Sequence, residues 1–448
     1  MSEEYVARFK EDLTEDDVAL CKDYLFDLRK DCMKTRRYDE DSRDRSEGEF
    51  QRDYTRIMYS SSFRRLQGKM QLLGLSDSGF YRNRLTHSLE VAQIARSIAA
   101  DFGYTGKESF VVEAGALAHD IGNPPFGHAG ERFLNDVYKD IGGFEGNAQT
   151  LRILTNIERK KPKYPGLNLT YRTQLAVVKY FAQFEDEKFN HNSKFIYNDD
   201  YIALSEFIEK NEIKHRTLDV QIVDIADEIA YAAHDLEDGL RVKAFTIDDI
   251  MQEFWNSYFW ENDSHRKAIK AKAYAEFKEI VNKAKETAGY EFKGDRKITS
   301  SDYLHLFGME LASRIIYKAI KDIRMVDVDK KKREKTKTKM EKELGFGTPE
   351  TAEIIGGLKK IVFECINHNN EVYHYEQEGK KVIEFLANFY KGKNTKYLPP
   401  EYRAENWEEY GMPKIQERLT CDYIAGMMDN YAIEQYEKYS GEKFRGKK

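Results

Sequence analysis

Two histidines and two aspartates stand out as side chains able to share one cation: His87, the adjacent pair His119-Asp120, and Asp227. Imidazole nitrogen and carboxylate oxygen together make a mixed N/O shell. Such a shell suits a divalent metal that keeps open positions for water and for a phosphate oxygen. The chemistry it predicts is metal-dependent hydrolysis of a phosphate bond.

Three helices must position these groups. In residues 82–99, Leu89, Ala92, Ile94, Ala95 and Ile98 recur at helical spacing and His87 falls in the first turn. In residues 111–131 an apolar helix runs up to His119-Asp120, and Gly122 with Pro124-Pro125 ends it. In residues 218–240, Ile222, Ile225, Ala226, Ile229, Ala233 and Leu236 make an apolar face. Asp224, Asp227, Tyr231, Asp235 and Asp238 step by threes and fours along one side of that helix. Each feature alone has an ordinary explanation: a structural histidine, a chance dipeptide, a solvated acidic face. Their coincidence with one surrounding text favours chemistry.

That text resembles the HD-domain superfamily, and within it the dGTPase branch of deoxynucleoside-triphosphate triphosphohydrolases. The matching segments are EFQRDYTRIMYSSSFRRLQGKMQ (49–71), RNRLTHSLEV (82–91), HDIGNPPFGHAGE (119–131), GFEGNAQTLRIL (143–154), GLNLTYRTQLAVVKY (166–180), ADEIAYAAHDLEDGL (226–240) and CDYIAGMMDNYA (421–432). The resemblance implies that His87, His119, Asp120 and Asp227 are metal ligands and that His128 and Glu131 are the catalytic pair. It implies substrate contacts from Gln71, Leu72, Arg84, Asn147, Tyr231 and Asp235, with Tyr231 and Asp235 on the deoxyribose and Arg84 on phosphate. The third motif reads ADE where many members read ADD, so Glu228 departs from the common form while the ligand position is kept. The resemblance further implies one divalent metal per active site, Mn or Mg first, with Fe, Co or Ni as the other candidates. It also implies a homo-oligomer, tetramer or hexamer, and activation by a second dNTP or by single-stranded nucleic acid. The expected substrate is a dNTP, dGTP first.

These residue types fit the expected reaction. A triphosphate is strongly anionic, and a bound metal offsets that charge and polarises the α-phosphoryl group. His128 suits proton handling because imidazole titrates near neutrality. Glu131 can fix its tautomer and stabilise its cation. A Tyr231 ring against C2' leaves no room for a 2'-hydroxyl. Asp235 can accept the 3'-hydroxyl, and a buried carboxylate left unpaired is costly. Two rivals remain: another HD phosphohydrolase, such as a nucleotidase or a signalling-nucleotide phosphodiesterase, and a non-catalytic nucleotide- or nucleic-acid-binding protein.

Composition bounds the rest. The 448 residues suffice for a sizeable core, 33% are charged, and mean hydropathy is −0.72. No run approaches the ~18 apolar residues of a membrane span. The first residues, MSEEYVARFKEDLTEDD, are acidic and polar, so a cytoplasmic location is expected. Four scattered cysteines suggest neither a zinc knuckle nor a disulfide framework. No GxxxxGK[ST] loop is present, which disfavours P-loop chemistry. Eight prolines and many Ala/Leu/Glu/Lys windows predict an all-α fold. We expect an N-terminal arm (1–49), an HD core (50–245), and a C-terminal helical region (246–448) packed back on it, completing the nucleotide site and supplying oligomer contacts. Helices are expected at 265–287, 308–325, 350–366 and 414–439. The basic run KKKREKTKTKMEK (330–342) reads first as a solvated linker. Its functional alternative is attraction of a triphosphate or of single-stranded nucleic acid. A net charge of −6 does not suggest a dedicated nucleic-acid binder.

Overall fold

Polar caps start the helices that carry the candidate residues. Asn83 accepts the Thr86 amide, Thr217 accepts the Val220 amide, and Thr105 with Glu108 closes a reciprocal capping box. The computed structural model describes residues 8–40, 48–71, 82–184, 194–290, 299–367, 370–407 and 414–446. Leu72 lies outside the described residues.

The main helices run in order α1 (Glu15–Leu28), α2 (Gly48–Met58), α3 (Arg84–Asp101), α4 (Gly106–Ala118), α5 (Gly127–Tyr138), α6 (Gly146–Arg152), α7 (Asn198–Asn211), α8 (Leu218–Arg241), α9 (Ile247–Phe259), α10 (Ser264–Tyr290) and α11 (Ser300–Asp322). Strand β1 (Ile323–Asp327), helix α12 (Lys330–Thr336) and strand β2 (Lys342–Phe346) follow. The chain closes with α13 (Pro349–Asn367), α14 (Asn370–Phe389), α15 (Ile415–Ala425) and α16 (Asp429–Ser440). The fold is all-α, with one antiparallel strand pair in which Ile323 faces Phe346 and Asp327 faces Lys342.

Helix α8 is the central element. It packs against α3, α4, α11 and α13, and Ala226, Ala230, Ala232 and Ala233 are all fully buried. Small side chains let four helices approach one, so α8 is buried round most of its circumference. Helix α1 contributes Cys21, Leu25 and Leu28 to the same core. A second core forms where α14, α15 and α16 meet α5: Leu134 and Tyr138 pack with Ile383, Leu386, Cys421 and Ile424. The C-terminal helices are therefore packed back on the N-terminal helical core.

Several expectations are corrected. The helix expected at 308–325 stops at Asp322, because Ile323–Asp327 pairs with β2. The one expected at 414–439 is two helices, broken at Gly426–Met428. Residues 330–342 are not a plain linker: they hold α12 and lead into β2. Leu89 is 45% exposed, so it faces away from the core its neighbours enter. Among the described residues no helix is long and apolar enough to cross a membrane.

Candidate active site

Helices α3, α4 and α8 bring the four expected metal ligands together. His87 Nε2 lies 3.0 Å and His119 Nε2 3.4 Å from the same Asp227 oxygen, Oδ1. His119 Nε2 is 3.6 Å from Asp120 Oδ1. Ligand atoms of His87, His119 and Asp120 all fall within 4.8 Å of one another. The His119 Nδ1 donates to the Ala116 carbonyl at 2.6 Å, which turns Nε2 toward the carboxylates. His119 Nε2 and His87 Nδ1 are buried without a hydrogen-bond partner among the described residues. Burial opposes a charged His119, but the Asp120 and Asp227 carboxylates outweigh it and lift the ring to about 9. Burial likewise would raise Asp120, yet the charge of Arg84, whose Nη1 sits 2.6 Å from Oδ2, holds it down at about 2. Paired carboxylates and imidazole nitrogens this close are what a single divalent cation would balance by taking the place of the ring proton, so the donor set fits a metal.

A tight corner sets that geometry. A Cβ on Gly122 would lie 2.2 Å from the Gly146 carbonyl oxygen and 2.3 Å from the Thr150 nitrogen, so only glycine lets the corner touch α6. Thr150 Oγ1 accepts from the Gly122 amide and donates to the His119 carbonyl. Phe126 adopts a left-handed conformation, φ 65°, and its amide donates to Asp429 Oδ1 at 3.2 Å. Helix α5 starts directly after it and carries His128 and Glu131.

The His128 side chain is 62% exposed, and its Nδ1 lies 3.3 Å from Glu131 Oε2. Burial would raise the Glu131 carboxyl, but the His128 contact and the Lys194 charge hold it at about 2. Lys194 Nζ bridges Glu131 (3.1 Å) and Glu145 (2.7 Å). Asn147 donates to Glu145 Oε1 at 2.8 Å, so it joins this network rather than the metal-ligand cluster.

Tyr231 stacks at a tilt on His87, with ring centroids 4.8 Å apart. Asp235, one turn further along α8, is buried, and its Oδ1 lacks a partner among the described residues. Burial, with Asp238 adding repulsion, pushes its carboxyl well above the usual range. Both amide atoms of Gln71 are also buried without a partner among the described residues. The rest of the acidic stripe is spent on ion pairs. Asp224 meets Lys179 and Arg216, and Asp238 meets Arg82 at 2.7 Å.

The HD domain family matches residues 84–232, and the phosphohydrolase-associated domain family matches residues 347–438. The chain is 42% identical over 407 residues to deoxyguanosinetriphosphate triphosphohydrolase-like protein 2 of Vibrio cholerae, covering 90% of this chain and 91% of the relative. The chain belongs to the dGTPase-like family of HD-domain phosphohydrolases. A similarly named dGTPase-like protein of Leptospira interrogans is 33% identical, covering 87% and 88% of the two chains. One of Deinococcus radiodurans is 32% identical, covering 90% and 94%. HD-domain members of this kind are metal-dependent, consistent with the ligand cluster.

Sequence reasoning missed several residues of this dGTPase-like site. Asn123 donates to Asp120 Oδ1, the oxygen nearest His119. Lys69, fully buried, donates to the Asn123 and Ala425 carbonyls, and burial lowers its ammonium to about 7. Asp429 accepts from the Met70 and Phe126 amides and so ties α16 to the corner. Lys69, Asn123 and Asp429 lie inside matching segments, which was the available signal. Lys194 had none.

Proposed function

We propose that this dGTPase-like chain hydrolyses a dNTP, dGTP first among them, to the deoxynucleoside and inorganic triphosphate. The observation that carries the reading is the convergence of His87, His119, Asp120 and Asp227 beside Tyr231, with His128 and Glu131 paired on the helix that follows the corner. A divalent cation, Mn or Mg first, held by those four residues would offset phosphate charge and polarise the α-phosphoryl group. Water adds its oxygen to the α-phosphorus, the bond to O5' breaks, and a proton passes to the departing O5'. His128 handles that proton, and Glu131, held ionised, orients the ring and stabilises its cation. Arg84 keeps Asp120 ionised and aligned and, in this reading, turns its remaining donors to phosphate. Tyr231 excludes a 2'-hydroxyl by contact, and Asp235 takes the 3'-hydroxyl that its buried, unpartnered oxygen lacks. Gln71 and Leu72 read the sugar from the other side, and Asn147 lines the approach. We assign 1–49 as an N-terminal arm, 50–245 as the catalytic core, and 246–448 as the region that completes the nucleotide site and supplies contacts of a homo-oligomer.

The test is product analysis with each dNTP and rNTP, singly and mixed, with Mn or Mg. Deoxynucleoside plus intact triphosphate, abolished by chelation, is expected. Monophosphate plus pyrophosphate, or no turnover in any mixture, would reject the reading.

A further inference from the structure

Arg82, two residues before the start of α3, grips one turn of α8 with its whole guanidinium. Its Nη1 donates to the His234 carbonyl at 2.8 Å and lies 2.7 Å from Asp238 Oδ1. Its Nη2 donates to Glu237 Oε2 at 3.2 Å. Its Nε lies 2.7 Å from Glu90 Oε2, on α3. The His234 ring closes the link between the two helices, with Nδ1 3.1 Å from that same Glu90 oxygen. The Arg82 side chain is only 11% exposed, so solvent screens these pairs little.

The three α8 positions that Arg82 holds are 234, 237 and 238, and Asp235 lies among them. Among the described residues Arg82 makes no hydrogen bond to Asp235, whose Oδ1 stays buried and unpartnered. Every nitrogen of Arg82 is engaged by protein oxygens. Arg84 differs, because its Nε is buried without a partner among the described residues. Arg82 is therefore placed to hold the protein rather than a ligand. A side chain on a turn fixed at both ends keeps one direction, and such support is what aims a binding group. The planar fork matters to this grip, since lysine would replace directed nitrogens with one point charge. Charge acts in the same sense. Burial and Asp238 raise the Asp235 carboxyl, and the Arg82 charge opposes them. Without Arg82, Glu90, Glu237 and Asp238 would lose the cation they share, and partly buried carboxylates left unpaired repel one another.

We propose that Arg82 is a positioning residue for sugar recognition: by clamping α8 at His234, Glu237 and Asp238 against Glu90 of α3, it aims Asp235 at the 3'-hydroxyl of the bound nucleotide. This inference rests on the proposed hydrolase reading, which gives Asp235 that hydroxyl, and deepens it by naming what sets the selection.

The test measures binding of dGTP and of 2',3'-dideoxy-GTP to the full-length protein by calorimetry, with metal chelated so that neither is turned over. The readout is the ratio of the two affinities, which a general loss of structure does not move. Wild type is expected to bind dGTP roughly 10-fold more tightly, the scale of a hydrogen bond to a charged group. In Arg82→Gln the ratio is expected to fall to about one, with dideoxy binding unchanged. Arg82→Lys keeps the charge without the fork and is the second variant should the first fail to fold; its ratio is expected to fall by at least about 3-fold. Arg96→Gln removes a half-exposed arginine of α3 that pairs with Glu113, away from this network, and should keep the wild-type ratio. Melting temperatures report folding. A wild-type ratio in a folded Arg82 variant, or equal loss of both ligands, overturns the proposal. So does a wild type that does not distinguish the two ligands. Product analysis with dNTPs separates the two readings. Turnover by wild type with an unchanged ratio in the Arg82 variants sinks the clamp alone. A ratio lost in the variants, with no dNTP turnover by wild type, sinks the hydrolase reading alone.

Discussion

At the scale of single residues, the proposed reaction separates groups that hold charge from the group assigned to move a proton. Arg84 and the two histidines keep Asp120 and Asp227 ionised, while His128 stands exposed and, among the described residues, engages Glu131. Replacing His128 therefore removes the proposed proton handler without touching the ligand cluster. His128→Ala is expected to lower kcat by about 10²–10⁴-fold. Metal content, measured by elemental analysis, should remain at the wild-type level. Unchanged kcat would move the proton role to another group.

At the scale of elements, the corner from His119 to Gly127 decides whether α4 and α5 present their side chains correctly. Its fit rests on Gly122, where any Cβ would strike the backbone of α6. Gly122→Ala is expected to destabilise the fold by about 1–3 kcal/mol, the usual cost of overpacking. Because Thr150 ties Gly122 to the His119 carbonyl, metal affinity should fall as well. Denaturant unfolding and metal titration check the two effects. Loss of stability with full metal affinity would show that the cluster does not depend on this contact.

At the scale of the whole molecule, buried ion pairs join distant parts of the chain. Arg152 contacts Asp422 through two nitrogens, at 2.7 and 3.0 Å, and so fixes α15 to α6. Glu108 accepts from Arg29 and Arg172, linking the end of α1, α4 and the 171–175 turn of helix. Burial would raise the Glu108 carboxyl, but the Arg29 hydrogen bonds and the Arg172 charge hold it at about 2, below its ordinary 4.5. The unfolded chain therefore binds this proton at higher pH than the folded one. The stabilisation is full above about pH 4.5 and is lost as pH falls through about 2. The shift corresponds to an upper bound of about 3 kcal/mol. Glu108→Gln is expected to lower stability at neutral pH and to flatten the acid limb of the unfolding free energy. Parallel acid limbs in variant and wild type would place the acid sensitivity elsewhere.

The residues of the candidate metal cluster were legible in the sequence because their helices are local structures. Apolar spacing and polar caps set α3, α4 and α8, and the long 119–131 text named the corner between them. Helical spacing also placed Asp227, Tyr231 and Asp235 on one side of α8. What spacing cannot express is contact between segments far apart in the chain. The basic run 330–342 reads as solvated until β1 pairs with β2 and α12 comes to rest beside Asp227. Lys194 has no neighbour in sequence that announces its bridge between Glu131 and Glu145. Lys69 and Asp429 matter only because the C-terminal helices fold back over the corner. Local backbone energetics write the helices and their caps into the sequence. Long-range packing, whose burial and charge pairing depend on every element at once, decides which of the remaining lysines and carboxylates meet.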